Sequence, residues 1–189
     1  MPSAISTTGI PPGWSYNPSS WSQRRPLIIV ALVGFIIALY LGLYQLKIIP
    51  QVWEPFFNKG SEAVLNSEVS KALPVPDAIL GALGYVLDVV TGIIGNTQRW
   101  RTKPWIVVVF GLAIGPLGMV SILLVILQPV VVGAWCTLCL VTAALSIVMI
   151  SPAMDEMLAS LQYLHRVKKS GLTVWKGFWG YTSVTTKVA

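Results

Sequence analysis

Four apolar stretches dominate the sequence and most restrict the folds it can adopt. They cover about residues 27–46, 78–95, 105–127 and 135–150. A helix of about 20 residues, rising about 1.5 Å per residue, crosses the hydrocarbon core of a bilayer, so each stretch is near spanning length. Backbone groups in lipid need internal hydrogen-bond partners, and these segments are too long for barrel strands. The sequence therefore predicts an all-α integral membrane protein, a bundle of four transmembrane helices.

The composition agrees with a membrane protein. Hydrophobic residues make up 54% of the 189 residues and charged residues only 11%, whereas a soluble domain carries about 25% charge. The net charge is +6, but the basic residues flank the apolar stretches instead of forming one patch, so we expect no nucleic-acid binding. The polar first 26 residues lack the apolar core of a cleavable signal peptide, and the first membrane helix is expected to act as the targeting signal.

The basic residues predict the orientation of the chain. Ten of the thirteen fall before the first stretch, between the second and third, or after the fourth: Arg24, Arg25, Arg99, Arg101, Lys103, Arg166, Lys168, Lys169, Lys176 and Lys187. Only Lys47, Lys59 and Lys71 lie in the loop between the first two stretches. By the positive-inside rule, both termini are expected in the cytoplasm. That first loop and the start of the fourth helix are then on the outer side.

Three segments follow from this pattern. Residues 1–26 are expected to form a cytoplasmic tail, unusually aromatic and suited to docking on another surface. Residues 27–152 form the membrane domain, with a short helix in its outer loop. Residues 153–189 form an amphipathic cytoplasmic segment, because apolar residues recur there at helical spacing. These residues are Met154, Met157, Leu158, Leu161, Leu164 and Val167. Asp155, Glu156 and Arg166 occupy other positions of the wheel, and His165 is expected at the surface.

Small residues predict where the helices pack most closely. Gly111, Gly115 and Gly118 lie in the third stretch, and Gly81 and Gly84 lie in the second. Because glycine lets two helix backbones approach each other, we expect these positions to face neighbouring helices.

The only two cysteines, Cys136 and Cys139, form a Cys-x-x-Cys motif at the start of the fourth helix. Two cysteines are not expected at this spacing by chance. The spacing suits a dithiol–disulfide couple, because two sulfurs within one helical turn can meet. The free N–H groups of a helix N-terminus also favour a thiolate. On the outer side of a membrane, disulfides persist.

The sequence argues against two other roles of the motif and leaves a third open. A structural zinc site needs about four ligands, and the single histidine, His165, lies roughly 39 Å from Cys139 along a continuous helix. Covalent haem attachment needs histidine directly after the second cysteine, where this chain has Leu140. A pair of inert buried thiols, or a fixed structural disulfide, stays open, because free cysteine is common in apolar cores.

Asp88 is the one acidic residue within a predicted span. Carboxylates inside membranes are costly and often functional. Asp88 lies near the inner end of the second helix, where water, Arg99 or Arg101 can also satisfy it. The sequence leaves both interpretations open.

With these features, the chain resembles the vitamin K epoxide reductase family, especially its bacterial members. The resemblance covers about residues 27–150. It rests on four predicted helices, on the Cys-x-x-Cys motif, and on the outer-loop run 60–67, Gly-Ser-Glu-Ala-Val-Leu-Asn-Ser. That run is similar to the family pattern Gly-Cys-x-x-Val-Leu-x-Ser. Pro76, Gly81, Gly84 and Tyr85 then lead into the second helix, as in the family.

The resemblance implies a thiol:quinone oxidoreductase of the bacterial inner membrane. In the family, the second cysteine of the motif faces a quinone, and the first exchanges disulfides with cysteines of the outer loop. Carried over, Cys139 faces a quinone of the menaquinone or ubiquinone type, and Cys136 is the exchange sulfur. Ser67 matches a family serine near the quinone head group. Three aromatic residues are expected to cover the ring by stacking: Phe56, Phe57 and Trp135.

The chain departs from the family at one position. The loop cysteine of the family pattern is replaced by Ser61, and no other loop residue is cysteine. An internal disulfide relay is therefore absent, and electrons must come from a separate thiol protein, such as a thioredoxin-like partner. The alternative is a non-catalytic subunit of a larger membrane complex. The missing cysteine, the aromatic tail and the amphipathic C-terminal segment favour that alternative.

Overall fold

The structure, a computed structural model, describes residues 9–72 and 74–181. Lys187 and the ends of the two predicted terminal segments, residues 1–8 and 182–189, lie outside the described residues. Within them the chain is helical and has no strand. The helices are α1 (Trp21–Gln45), α2 (Gly60–Leu65), α3 (Asp77–Ile93), α4 (Arg99–Thr102), α5 (Pro104–Leu127), α6 (Thr137–Lys169) and α7 (Val174–Phe178), and a π-helical turn (Gln128–Val132) extends α5.

Three of these helices are long and apolar enough to cross a membrane. They are Trp21–Gln45, Pro104–Val132 and Thr137–Lys169. The second apolar stretch of the sequence forms α3, which has 17 residues and a length of about 26 Å by the rise of an α-helix. The all-helical prediction is confirmed, and the chain is a multi-pass membrane protein.

The helices pack through small residues. A side chain at Gly34 of α1 would collide with the ring of Tyr85 in α3. On α5, Gly111 lies against Met157 and Gly118 against Ile150, both residues of α6. Close approach of backbones through glycine is typical of membrane helices, where burial of apolar surface gives little driving force. The predicted packing role of the α5 glycines is confirmed at these two positions.

Helix α6 runs without a break through Pro152 to Lys169. Its 33 residues correspond to roughly 50 Å, so it extends well beyond a hydrocarbon core of about 30 Å. The buried face of its C-terminal half differs from the apolar stripe predicted from the sequence. Leu158 and Leu161 are exposed, whereas Glu156 and Ser160 are buried. His165 is exposed, as predicted.

The aromatic N-terminal tail packs on this part of α6. The indole Nε1 of Trp14 donates to Gln162 over 2.8 Å, and the Tyr16 hydroxyl donates to Asp155 over 2.7 Å. Trp100 of α4 donates to the Gly9 carbonyl oxygen over 3.1 Å. The docking surface expected for the tail therefore lies on its own chain.

Candidate functional site

The two cysteines sit where α6 begins. Cys136 is the N-cap residue of the helix and Cys139 lies in its first turn. They form a disulfide, with their Cα atoms 5.2 Å apart, and the Cys139 N–H points at the Cys136 sulfur over 3.1 Å. Cys136 is 0% exposed, and Cys139 is half-buried. The two sulfurs therefore have different surroundings, although they belong to one turn of chain.

Helix α2 of the outer loop covers Cys136. The Ser61 hydroxyl lies 3.2 Å from the Cys136 sulfur, and Ser61 is itself completely buried. Gly60 permits this approach, because a Cβ atom there would collide with the Trp135 carbonyl oxygen. The position that carries cysteine in the family pattern thus faces Cys136 directly.

Glu54, in the loop before α2, connects α2 to the start of α6 through hydrogen bonds. Its carboxylate accepts hydrogen bonds from the Ser61 hydroxyl, from the Thr137 hydroxyl and from the Thr137 N–H at 3.0 Å. The last donor is the first residue of α6, whose N-terminus attracts negative charge. Burial raises the pKa of Glu54, but the hydrogen bonds from Ser61 and Thr137 outweigh it, and the pKa falls to about 2.

This network predicts an acid-sensitive loop. The usual pKa of 4.5 drops to about 2 in the folded chain, so the folded state binds the Glu54 proton more weakly than the unfolded state. The stabilisation is therefore complete above pH 4.5 and is lost as the pH falls towards 2. We expect Glu54→Gln to lower the melting temperature at neutral pH by about 2–4 °C, equivalent to roughly 1 kcal/mol after solvent screening. Melting in detergent across this pH range measures it.

Glu68→Gln is the matched control, since Glu68 lies exposed in the same loop. Its melting temperature should follow that of the unaltered chain at every pH. Identical acid profiles for Glu54→Gln and the unaltered chain would contradict the role given to the Glu54 carboxylate.

A cavity of about 110 Å³ opens on the other side of the cysteine pair, between α1, α3, α5 and α6. Cys139 lines it, whereas Cys136 does not. Most of the wall is apolar, with small residues such as Ala38, Gly81 and Ala143. A few polar side chains interrupt it: Asp77, Tyr85, Asp88, Ser121, Gln128, Thr142 and Ser146. Apolar walls with a small number of placed polar groups are typical of sites for small organic molecules.

The polar groups of the cavity are mostly held in fixed positions. The Tyr85 hydroxyl donates to the Thr142 carbonyl oxygen over 2.7 Å and pairs with the Ser146 hydroxyl at 2.8 Å. The buried Gln128 side chain accepts from the Cys136 N–H over 3.0 Å, which connects the cavity wall to the backbone of the cysteine motif. Asp88 differs, because its buried Oδ1 has no hydrogen-bond partner in the described part of the chain.

The other residues expected at the site lie outside this cavity. Ser67 donates to the Val64 carbonyl oxygen over 2.7 Å. Phe57 and Trp135 approach each other with ring centroids 6.4 Å apart. Phe56 is 78% exposed. None of these four side chains lines the cavity beside Cys139.

Several residues at the site gave no signal in the sequence. Glu54 was one of four acids in the outer loop, and nothing local marks it as the partner of a helix 83 positions further on. Gln128 follows an apolar stretch and carries no motif. The preference of helix N-termini for carboxylates is the one rule that would have directed attention to an acid near Thr137.

A sequence model of the vitamin K epoxide reductase family matches residues 25–153 of the chain. This range includes most of α1, all of α3 and α5, the cysteine motif and the part of α6 that lines the cavity. No curated protein matches the chain.

Proposed function

Since the chain belongs to the vitamin K epoxide reductase family, we propose that it is a membrane thiol:quinone oxidoreductase working through Cys136 and Cys139. The family match supports thiol-dependent quinone oxidoreductase activity in general. The observation that carries the proposal for this chain is that the two sulfurs of the motif face different surroundings. Cys139 lines the apolar cavity, while Cys136 faces Ser61 in the outer loop.

In the proposed topology, α3 is the fourth span. Its 17 residues are short for a bilayer, but they lie against α1 and α5 inside the bundle. Both termini are then cytoplasmic, and the cysteine motif lies on the outer side of a bacterial inner membrane. The distribution of Lys and Arg residues supports this orientation.

The proposed reaction has two halves. A thiolate of a thioredoxin-like partner attacks Cys136 of the disulfide and forms a mixed disulfide, which releases Cys139 as a thiolate. A second thiol of the partner then releases Cys136, so the partner gains a disulfide and the motif becomes a dithiol. When the Cys136–Cys139 disulfide re-forms, the dithiol is oxidised and releases two electrons. These electrons leave through Cys139, the sulfur that lines the cavity. A quinone of the menaquinone or ubiquinone type supplies the acceptor for two electrons and two protons.

Burial of Cys136 adds a requirement to the first half. The sulfur is 0% exposed, so a partner thiolate reaches it only after α2 and Ser61 move aside. The residues that hold α2 in place, Glu54 and Gly60, then control access to the disulfide.

The residues of the cavity fit a quinone ring. Tyr85, Ser146 and Gln128 place hydroxyl and amide groups in an otherwise apolar wall, which suits an apolar ring with two carbonyl oxygens. We propose these residues as the ring contacts. The contacts of Ser67, Phe56, Phe57 and Trp135 with the ring stay a prediction. The first three lie in the outer loop and Trp135 directly precedes Cys136, and we propose that the partner protein docks there.

Replacing either cysteine by serine should abolish quinone reduction by a dithiol in proteoliposomes. Cys136→Ser leaves no disulfide for the partner to attack, and Cys139→Ser leaves no sulfur on the cavity. We expect the rate to fall to that of liposomes without protein. Quinol formation with a short-chain ubiquinone, followed by absorbance, measures it.

A serine at Thr137, between the two cysteines, provides the control, since Thr137→Ser keeps the hydroxyl and the backbone N–H that bind Glu54. Undiminished turnover in both cysteine variants would overturn the proposed function.

The alternative of a non-catalytic subunit gains no support from the tail. Trp14 and Tyr16 donate hydrogen bonds to Gln162 and Asp155 of the same chain, so the tail already packs on α6. Exposed aromatic residues near the C-terminus, Trp175 and Trp179, remain the surface on which this alternative rests.

A further inference from the structure

Asp88 is a buried carboxyl group that the proposed function does not use. It is 5% exposed, and its Oδ1 atom makes no hydrogen bond within residues 9–72 and 74–181. Arg99, which the sequence offered as a partner, pairs instead with Glu156. An unpartnered polar atom buried in a membrane helix costs free energy. Its presence therefore points to a role in the chemistry of the cavity.

Two voids meet at Asp88. The first is the 110 Å³ cavity that Cys139 lines. The second is a gap of about 10 Å³ on the far side of Asp88, which Arg24, Arg99 and Phe110 help to enclose. A volume of roughly this size holds one water molecule. Asp88 therefore separates the cavity from the arginine-bearing end of the bundle.

A pair of hydroxyl groups lies between Asp88 and the cysteine motif. Ser146 follows Cys139 by two turns of α6, a rise of roughly 10 Å. Tyr85 precedes Asp88 by about one turn of α3. The Tyr85 and Ser146 hydroxyls are 2.8 Å apart, and both line the cavity with Asp88. Hydroxyl groups both donate and accept hydrogen bonds, so they can pass a proton along the wall.

From this arrangement we propose that Asp88 is the proton donor of the cavity. The proposal rests on the proposed function. Re-formation of the disulfide releases two electrons and two thiol protons, and reduction of a quinone takes up two electrons and two protons. One of the two protons that the quinone takes up comes from a thiol of the motif. Asp88 gives up the other into the cavity that it lines together with Tyr85 and Ser146, and is reprotonated through the gap beside Arg24 and Arg99. One thiol proton then leaves on the cysteine side.

The test compares the full chain with Asp88→Asn and Asp88→Glu in proteoliposomes, using dithiothreitol and a short-chain ubiquinone. We expect Asp88→Asn to lower kcat about 100-fold, the scale of a lost general acid, with KM changed less than about twofold. Asp88→Glu should restore most of the rate. A pH dye trapped in oriented vesicles should record proton uptake from the arginine side in the unaltered chain. That uptake should be absent in Asp88→Asn.

A second measurement needs no quinone. The infrared spectrum should contain the C=O band of a protonated carboxylic acid, and Asp88→Asn should lack it. Asp155→Asn, the same change near the middle of α6, should keep both the band and the rate. An unchanged melting temperature and normal reduction of the disulfide by dithiothreitol show that Asp88→Asn is folded.

The outcomes separate the two proposals. If the unaltered chain reduces quinone and Asp88→Asn does so at the same kcat, the assignment of Asp88 is wrong and the proposed function stands. A band that persists in Asp88→Asn, or proton uptake from the cysteine side, also overturns the assignment. If the unaltered chain takes electrons from dithiothreitol and leaves quinone oxidised, the proposed function itself falls.

Discussion

Arg99→Met should be the most destabilising single substitution away from the cysteine motif. Arg99 forms an ion pair with Glu156 at 2.5 Å, and the two side chains are 0% and 3% exposed. Removing one partner of a buried pair leaves the other charge without compensation, at a cost of about 3–5 kcal/mol. We therefore expect the melting temperature in detergent to fall by about 10 °C.

The large loss of stability expected for Arg99→Met also follows from the backbone groups that Arg99 binds. Arg99 also donates to the Thr91 carbonyl oxygen over 2.5 Å and to that of Ile94 over 3.0 Å, at the end of α3. Arg24 of α1 donates to the Gly92 carbonyl oxygen nearby over 2.8 Å. The last carbonyl groups of a helix have no partner within it, and in a membrane they must find one in the protein. The two arginines thus connect α1 and α4 to the end of α3.

The control substitution is Arg25→Met, which removes an exposed positive charge near the same end of the bundle. It should change stability by less than about 0.5 kcal/mol. The double variant Arg99→Met with Glu156→Met should be less destabilised than the sum of its two single variants, because it leaves no unpaired charge. If Arg99→Met melts within about 1 °C of the unaltered chain, the pair does not hold α4 and α6 together.

This ion pair also marks the limit of what the sequence predicted. Apolar length and glycine positions are local signals, so the helices and the packing of Gly111 and Gly118 against a neighbouring helix followed from them. The structure identifies that neighbour as α6. The position of Cys136 and Cys139 at the beginning of the fourth apolar stretch likewise placed the pair at a helix start. The burial of Glu156 did not follow, because its partner Arg99 is 57 positions away in the sequence, and on a helical wheel Glu156 reads as part of a solvated face.

At the candidate site, too, local sequence features were predicted and contacts between distant residues were not. The family pattern identified position 61 as a departure, and the serine there was interpreted as the loss of a relay. The structure adds that Ser61 contacts Cys136 from 75 positions away, held by Glu54. Cavity residues such as Gln128 and Ser146 were not found, since they carry no motif and their meeting depends on how α3, α5 and α6 pack.

The contact between Ser61 and Cys136 leads to the prediction with the largest chemical effect. In a Cys139→Ser background, Ser61→Cys should produce a nearly complete disulfide between position 61 and Cys136. The Ser61 hydroxyl oxygen is 3.2 Å from the Cys136 sulfur, and a sulfur in its place needs only a small shift to reach the bond length of about 2.05 Å. Thiol alkylation and mass spectrometry of the linked peptides, before and after dithiothreitol, measure the bond.

Ser70→Cys in the same background is the matched control. Ser70 is also a buried serine of the outer loop, but its hydroxyl donates to Asp77 over 2.6 Å instead of contacting the motif. It should leave Cys136 as a free thiol that alkylates after denaturation. If position 61 and Cys136 both remain alkylatable in oxidised membranes, α2 does not cover the motif as described.

With Cys139 present, Ser61→Cys creates a competition for Cys136. A bond from Cys136 to position 61 frees Cys139 as a thiol on the cavity wall, which is the state the proposed reaction reaches when a partner thiolate attacks Cys136. The two pairings contain the same number of electrons, so the fraction of Cys139 that alkylates in oxidised membranes measures how readily the sulfur at position 61 displaces Cys139 from Cys136. In the proposed reaction the partner thiolate takes the place that the Ser61 hydroxyl occupies, and because the outer loop has no cysteine, the exchange runs between two proteins.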